Sequence, residues 1–355
     1  MKIYFLPPGS ELNKSLDMIV EGLEYNGAEV VNKKYNQGAF KKLASSYIAY
    51  FQGARIFHLN FIENYSANKT IKSIIACNMI FLWLRSLKVL GGKLVWTMNN
   101  KESHYCKGDK TFHYAFLKKF ISMMDVIVVY CQESKDILET KYNYPSEKIC
   151  SVVHGAFIPE RKFKDPDGHK ELRILSFGLI SKYKQIPALV KAYKEANLEN
   201  AELKIVGKCE TESLDHEIRE LIKNTEHIAY DNRFVSDEEV DSLFEWADIA
   251  VFPYGKDSML NSGAVIMALS QGKPILVSEF GYIKEIKNNE FVFSYDYENA
   301  KEKVENLVAQ LKLCEKVHQE NPYELSRLGK EAYAFAHDNL DWKAICKKIV
   351  DYYKK

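Results

Sequence analysis

At 355 residues the chain is too long for one comfortable hydrophobic core and suits two domains of ordinary size with a cleft between them. Hydrophobic residues at 46% and charged residues at 27% are the balance of a chain that buries full cores, which excludes a disordered protein. Lys and Arg (49) nearly cancel Asp and Glu (48), leaving a formal charge of +1, so the global basic field that nucleic-acid binding needs is absent and any attraction to anions is local.

The seven cysteines are scattered and odd in number, with no Cys-x-x-Cys or Cys/His ligand spacing, the pattern of reduced thiols in a cytoplasmic protein without a metal site. The opening Met1-Lys2-Ile3-Tyr4-Phe5-Leu6-Pro7-Pro8 is a short apolar run broken by prolines, unlike a secretion signal. The longest apolar tract, residues 71–84, is interrupted by Lys72, Ser73 and Asn78 and is shorter than the ~20 residues of a spanning helix.

In chain order, short apolar runs at 3–6, 28–31, 55–59, 93–97, 126–130 and 149–153 alternate with helical stretches, which predicts a parallel α/β sheet. A polar, proline-containing stretch at 161–170 reads as a linker. The alternation restarts at 172–177, 202–206, 227–230, 249–252, 274–277 and 291–293, predicting a second sheet of the same kind. The expected architecture is two Rossmann-like domains, 1–160 and 171–330. A helical tail at 331–355 follows, with Trp342, Ile345, Ile349 and Tyr352 about one turn apart, packing back toward the first domain.

The chemistry concentrates in residues 247–274. A buried strand ends at Pro253, a polar loop follows, and a helix begins at Asn261-Ser262-Gly263, where Asn261 or Ser262 caps it. Gly272 and Pro274 end that helix. It is apolar all round, so its start is buried at the carboxyl ends of the strands, where free backbone N–H groups make an anion site. A structural cap alone explains this tract about equally well. A second element favours the anion: Gly178 turns the chain out of the first strand of this domain, and Lys184 stands in the loop before Pro187, within reach of the same phosphates.

These stretches resemble the donor-binding domain of bacterial GT-B glycosyltransferases, in the group with a Phe-Gly-x-Ile-Arg-x-Tyr-Lys-Gly strand exit and a later Pro-Tyr … Ser-Gly helix. Here the exit reads Phe177-Gly178-Leu179-Ile180-Ser181-Lys182-Tyr183-Lys184-Gln185, with Ser181 for the Arg and Gln185 for the last Gly. Met259 and Met267 stand where the wider family has a Glu pair that holds sugar and ribose. In the first half, Val95-Trp96-Thr97-Met98-Asn99-Asn100 with His104 resembles a Trp-Thr-x-His-Asn … His-Glu pattern, and Val153-His154-Gly155 resembles Pro-His-Gly.

The resemblance implies a transferase, of hexosyl type, that moves a sugar from a UDP- or GDP-sugar to a glycan or lipid-linked acceptor in bacterial surface polysaccharide synthesis. No cofactor and no metal are expected. Lys184, Ser181, Asn261, Ser262 and Gly263 are expected at the donor diphosphate, and Gly207, Lys208, Phe234 and Tyr254 at nucleotide or sugar. Gly9, Asn99 and His154 are expected to face the acceptor, with His104 as general base and Glu102 as its alternative. Phe234 stacks on a base or packs on the core, and His104 and His154 read equally as structural. A basic, aromatic surface formed by Lys69, Lys72, Phe81, Trp83, Arg85 and Lys88, with Phe116, Lys118, Lys119 and Phe120, suits peripheral contact with an anionic membrane or, more commonly, an amphipathic core helix. Competing readings are a nucleotide-sugar epimerase, which needs no acceptor, and a non-catalytic partner that keeps the fold.

Overall fold

The computed structural model describes residues 1–7, 14–32, 39–106, 108–158, 163, 169–257 and 259–355. They form two compact units, Met1–Gly155 with Leu340–Lys355, and Ala156–Asn339.

In the first unit β1 (Lys2–Leu6), α1 (Lys14–Tyr25), β2 (Glu29–Val30), α2 (Ala39–Phe51), β3 (Ile56–Asn60), α3 (Ile71–Val89), β4 (Lys93–Met98), α4 (Thr111–Met123), β5 (Val126–Val129), α5 (Gln132–Tyr142) and β6 (Ile149–Ser151) alternate. The strands pair in parallel in the order β2-β1-β3-β4-β5-β6. Strands β3 and β5 are buried at every position, which is why they read in sequence as near-continuous apolar runs instead of alternating ones.

In the second unit β7 (Leu172–Phe177), α6 (Ile186–Ala196), β8 (Ala201–Val206), α7 (Glu212–Ile222), β9 (Ile228–Asp231), α8 (Asp237–Trp246), β10 (Ile249–Phe252), α9 (Gly263–Ser270), β11 (Ile275–Ser278), α10 (Ile283–Ile286), β12 (Val292–Tyr295), α11 (Ala300–Glu320) and α12 (Glu324–Asn339) follow. The sheet runs β12-β11-β10-β7-β8-β9, again all parallel. Both sheets are doubly wound. Strand order reverses between β1 and β3 in the first and between β7 and β10 in the second, and such switch points open a crevice at the carboxyl ends of the strands.

The final helix, α13 (Trp342–Lys354), belongs to the first unit. It buries Trp342, Ile345, Cys346, Ile349, Val350 and Tyr353 in a core shared with Leu16, Ile19 and Leu23 of α1. The fourth member of its apolar stripe is Tyr353 rather than Tyr352, whose ring lies at the edge of that core.

Residues 331–339, expected in the returning tail, stay with the second unit as part of α12. Small residues explain this: Gly329 lets the helix approach the Gly272 carbonyl so closely that a Cβ would stand 2.3 Å from it, and Ala332 and Ala336 are fully buried behind it. The first unit ends at Gly155, five residues before the expected boundary, and most of the expected linker lies outside the described residues. Phe163, which is described, packs on Tyr333 and over Gly272 within the second unit. Among the described residues no helix is long and apolar enough to cross a membrane.

Gly155 closes the first unit beneath α13, where an added Cβ would lie 2.2 Å from the Trp342 ring. Gly155→Ala therefore forces Trp342 out of place. The expected result is a loss of roughly 1–3 kcal/mol in that unit, measured as a lowered urea midpoint together with faster amide exchange along α13.

Candidate functional site

The switch point of the second sheet is flanked by the chain leaving β7 and the loop between β10 and α9. Gly178 turns out of β7 at φ 104, a left-handed value suited to glycine. Lys184 ends the following single turn of helix, and Gln185 next to it takes φ 55 to start α6. That left-handed conformation explains why the resembling group has glycine at this place.

Lys184 is 7% exposed; its backbone N–H donates to the Ser181 carbonyl at 3.0 Å, and among the described residues its ammonium has no ion-pair or hydrogen-bond partner. Its Nζ lies 5.3 Å from the centroid of the Tyr254 ring. A Cβ on Gly178 would stand 3.2 Å from that Nζ and 3.7 Å from the Ala264 Cβ in the first turn of α9. The lysine and the helix start that the sequence placed in separate motifs thus meet over one glycine. Burial lowers the Lys184 ammonium to about 8.

Ser262 is the residue that caps α9, its Oγ accepting from the Val265 N–H at 3.4 Å. Asn261 lies one residue earlier, and its Oδ1 accepts from the Ser262 N–H at 2.9 Å. The Asn261 Nδ2 and the Ser181 Oγ are both buried without a hydrogen-bond partner. Buried polar groups are rarely left so. An ammonium, an amide, a hydroxyl and the free N–H groups of a helix start all donate, and what satisfies them together is a ligand rich in acceptor oxygens.

Tyr254 does not line an open sugar pocket. It is 1% exposed, stacks on Phe280 with ring centroids 6.0 Å apart, and forms the floor under Lys184. Its carbonyl accepts from Ser278 Oγ at 2.7 Å and from Lys303 Nζ at 3.1 Å. Lys303, on α11, was not singled out in the sequence, because a lysine on a charged helix reads as solvated. Its burial lowers it to about 7.

Gly207 follows β8, and its backbone runs so near Gly178 that a Cβ would lie 2.0 Å from the Gly178 carbonyl oxygen. Lys208 is exposed, and its carbonyl accepts from the Ile180 N–H at 2.8 Å. Phe234 is 61% exposed, so its ring does not pack on the core. The neighbouring Arg233 is engaged by Asp231 and Glu239.

In the first unit the structure withdraws several expected roles. Both carboxylate oxygens of Glu102 are engaged, one by Lys110 and one by the Tyr114 hydroxyl at 2.8 Å, which ties it into its own loop and helix. His154 is 8% exposed between the rings of Tyr130 and Trp342, each 5.2 Å away, and burial lowers it to about 4, so it serves the packing of α13. Asn99 turns its amide back to the Thr97 carbonyl at 3.3 Å. His104 is half-buried in the same loop, which Ser103 fixes by donating to Asn64 Oδ1 at 2.7 Å. Gly9 lies outside the described residues.

The aromatic residues expected on a basic surface point inward instead. Phe81, Trp83, Phe116 and Phe120 are all buried, Lys119 covers the Phe81 ring, and Lys88 pairs with Asp125. Alongside Lys72, Arg85 and Lys88, the exposed face of α3 carries aliphatic residues, Ile71, Ile75 and Leu82. Glu63, after β3, stands in no sequence motif that marks it as functional. It is 1% exposed beside Asn100 and Trp96, and burial raises its carboxyl to about 7.

Residues 157–322 match the family model of glycosyl transferases group 1. No curated protein is similar enough in sequence to match the chain. Among solved structures it is similar to a glycosyltransferase from Rickettsia africae (15% identity, 99% of this chain and 97% of that one, TM-score 0.69). It is also similar to Anabaena Alr3699/HepE in complex with UDP (12% identity, 100% of both chains, TM-score 0.68). A third is the pneumococcal O-GlcNAc transferase GtfA in complex with UDP and GlcNAc (15% identity, 90% of this chain and 60% of that one, TM-score 0.61). The chain therefore has the two-domain GT-B fold of these glycosyltransferase structures, and its residues 157–322 are similar to the group 1 glycosyl transferases.

Proposed function

We propose that the protein transfers a sugar from a nucleoside diphosphate sugar, of UDP or GDP type, to a hydroxyl of a glycan or lipid-linked acceptor in bacterial surface polysaccharide synthesis. The observation that carries this reading is the buried, unpartnered ammonium of Lys184 beside the start of α9 in a domain similar to the group 1 glycosyl transferases. Solved structures of the same fold hold UDP in HepE and GtfA.

In the reaction the bond between the sugar C1 and the diphosphate oxygen breaks, and the acceptor oxygen bonds to C1 and gives up its proton. Negative charge grows on the leaving diphosphate. Lys184, Ser181, Asn261 and the first amides of α9 are the donors that stabilise it, so a metal ion is not needed for that task. Gly207, Lys208 and the exposed ring of Phe234 border the same edge of the sheet and serve the nucleotide, by stacking in the case of Phe234. His104 is the proton acceptor in this reading. The Met259 and Met267 departures also motivate a non-catalytic partner. Abolition of transfer by a folded Lys184→Ala chain contradicts that alternative, and release of an altered donor sugar without acceptor marks an epimerase instead.

Calorimetry with UDP and GDP tests the site. Lys184→Ala is expected to weaken nucleotide binding by about thirtyfold, roughly 2 kcal/mol, with circular dichroism unchanged. No binding of either nucleotide by the wild-type chain sinks the proposal.

The pH dependence follows from the lowered ammonium. Lys184 loses its proton as pH rises through about 8, so UDP affinity is expected to fall above that pH by up to about tenfold per unit. Lys184→Arg, which stays charged, flattens the fall.

Stability responds with the opposite sign. Folded Lys184 titrates near 8 against 10.5 for the ordinary group. Between those values the unfolded chain binds more protons, and stability rises with pH. Lys184→Met removes that slope and is expected to raise stability of the unliganded protein at pH 7 by ~1–3 kcal/mol, read from urea midpoints at pH 7 and pH 10.

A further inference from the structure

The first sheet has its own switch point, between β1 and β3, and a pocket of about 260 Å³ opens there. Leu6 from the end of β1, Ile62 from the turn after β3, Leu43 from α2 and Met79 and Trp83 from α3 line it. The pocket is held in shape by side chains that keep their polar atoms out of it. Trp83 Nε1 donates to Ser46 Oγ at 2.9 Å, and Ser46 Oγ donates to the Leu43 carbonyl at 2.6 Å, which ties α3 to α2. Tyr47 and Ser86 join the same two helices by a hydroxyl pair.

Such walls select against a sugar or a nucleotide base, whose hydroxyls and amides would be stripped of water with nothing to replace it. They favour hydrocarbon, which gains about 25 cal/mol for each Å² removed from water. Among the described lining residues one is charged. Lys72 is exposed and, among the described residues, has no ion-pair or hydrogen-bond partner. Ile71 (78% exposed) and Ile75 (55% exposed) continue the apolar surface along α3 beside it. A half-open apolar slot with Lys72 at its rim, the one charged side chain among its described lining residues, matches a narrow chain that ends in an anion. It does not match a flat partner surface.

We propose that this pocket binds the hydrocarbon chain of a lipid-phosphate acceptor as a single molecule, with the phosphate meeting Lys72. This deepens the glycosyltransferase reading and rests on it, since it names the acceptor class of the same enzyme. The chain enters at the carboxyl edge of the strands, where an open α/β sheet presents its ligands.

Decyl phosphate, kept below its micellar concentration, is the probe, with ethyl phosphate as the chain-free control, and binding to the full chain is read by calorimetry. The wild type is expected to bind decyl phosphate at least about tenfold more tightly than ethyl phosphate. Ile75→Asp, at an exposed position on the lining, and Ala76→Leu, which fills the pocket, are each expected to abolish that preference. Lys72→Ala is expected to weaken decyl phosphate by about threefold. If Ala76→Leu does not fold, Ile75→Asp carries the test.

Equal binding of the two phosphates, or a chain preference unchanged in Ile75→Asp, overturns the proposal. So does binding only to phosphatidylglycerol vesicles with no uptake of the monomer, which assigns the face to a bilayer. Failure to bind decyl phosphate joined with dissociation of a dimer by Ile75→Asp assigns it to a second copy and overturns it equally. UDP binding measured on the same samples separates the two readings: its retention when decyl phosphate fails leaves the donor site standing, and its loss in the wild type removes the donor reading alone.

Discussion

An ammonium group buried without a counter-charge is the constraint around which the second unit is arranged. Removing a charge from water is unfavourable unless a partner replaces the hydration, and Lys184 has only the face of Tyr254. The neighbouring residues maintain that situation. Gly178 has no side chain to fill the space beside the Nζ, Ser278 and Lys303 hold the Tyr254 backbone carbonyl, and Phe280 stacks on its ring. Unpartnered donors on Ser181 and Asn261 add to an arrangement that is incomplete until acceptor oxygens arrive.

The two sheets show the same topological device used with opposite polarity. Each reverses strand order once, and each reversal leaves a crevice at the carboxyl ends of its strands. In the second sheet the crevice is edged by a helix start and a cation, so it suits an anion. In the first it is walled by Leu6, Ile62 and Trp83, so it suits hydrocarbon. Backbone geometry supplies the crevice in both cases, and the side chains decide what chemistry it takes. This separation explains how one fold serves many substrates.

In the first unit the polar groups divide into those paired or packed in place and those enclosed by burial. Glu102 and His154 look reactive by residue type, yet ion pairing and ring packing absorb them. Glu63 and His58 are fully enclosed, and burial drives them in opposite directions, the carboxyl up to about 7 and the imidazole down to about 3. Both shifts favour the neutral form, as burial in a poorly polar medium requires. His58 spends its nitrogens on Thr97 and on the Tyr353 hydroxyl, so it links β3 and β4 to α13 rather than titrating near neutrality.

The sequence by itself determined the alternation of strands and helices, the parallel class of both sheets, the capped start of α9 and the lysine loop after β7. These are written within a few residues each, in apolar runs, glycine turns and caps, and local backbone preference suffices to set them. Only the tertiary structure decided that Gly178, Lys184 and Ala264 meet, that Tyr254 lies under the lysine, and that Lys303 reaches it from 49 residues away. It also decided that Phe81 and Trp83 face inward while Ile71 and Ile75 face out, and that Glu63 is enclosed. Those outcomes depend on which distant side chains share a packed interior. Burial and pairing there are properties of the whole fold and leave no mark in the spacing of neighbouring residues.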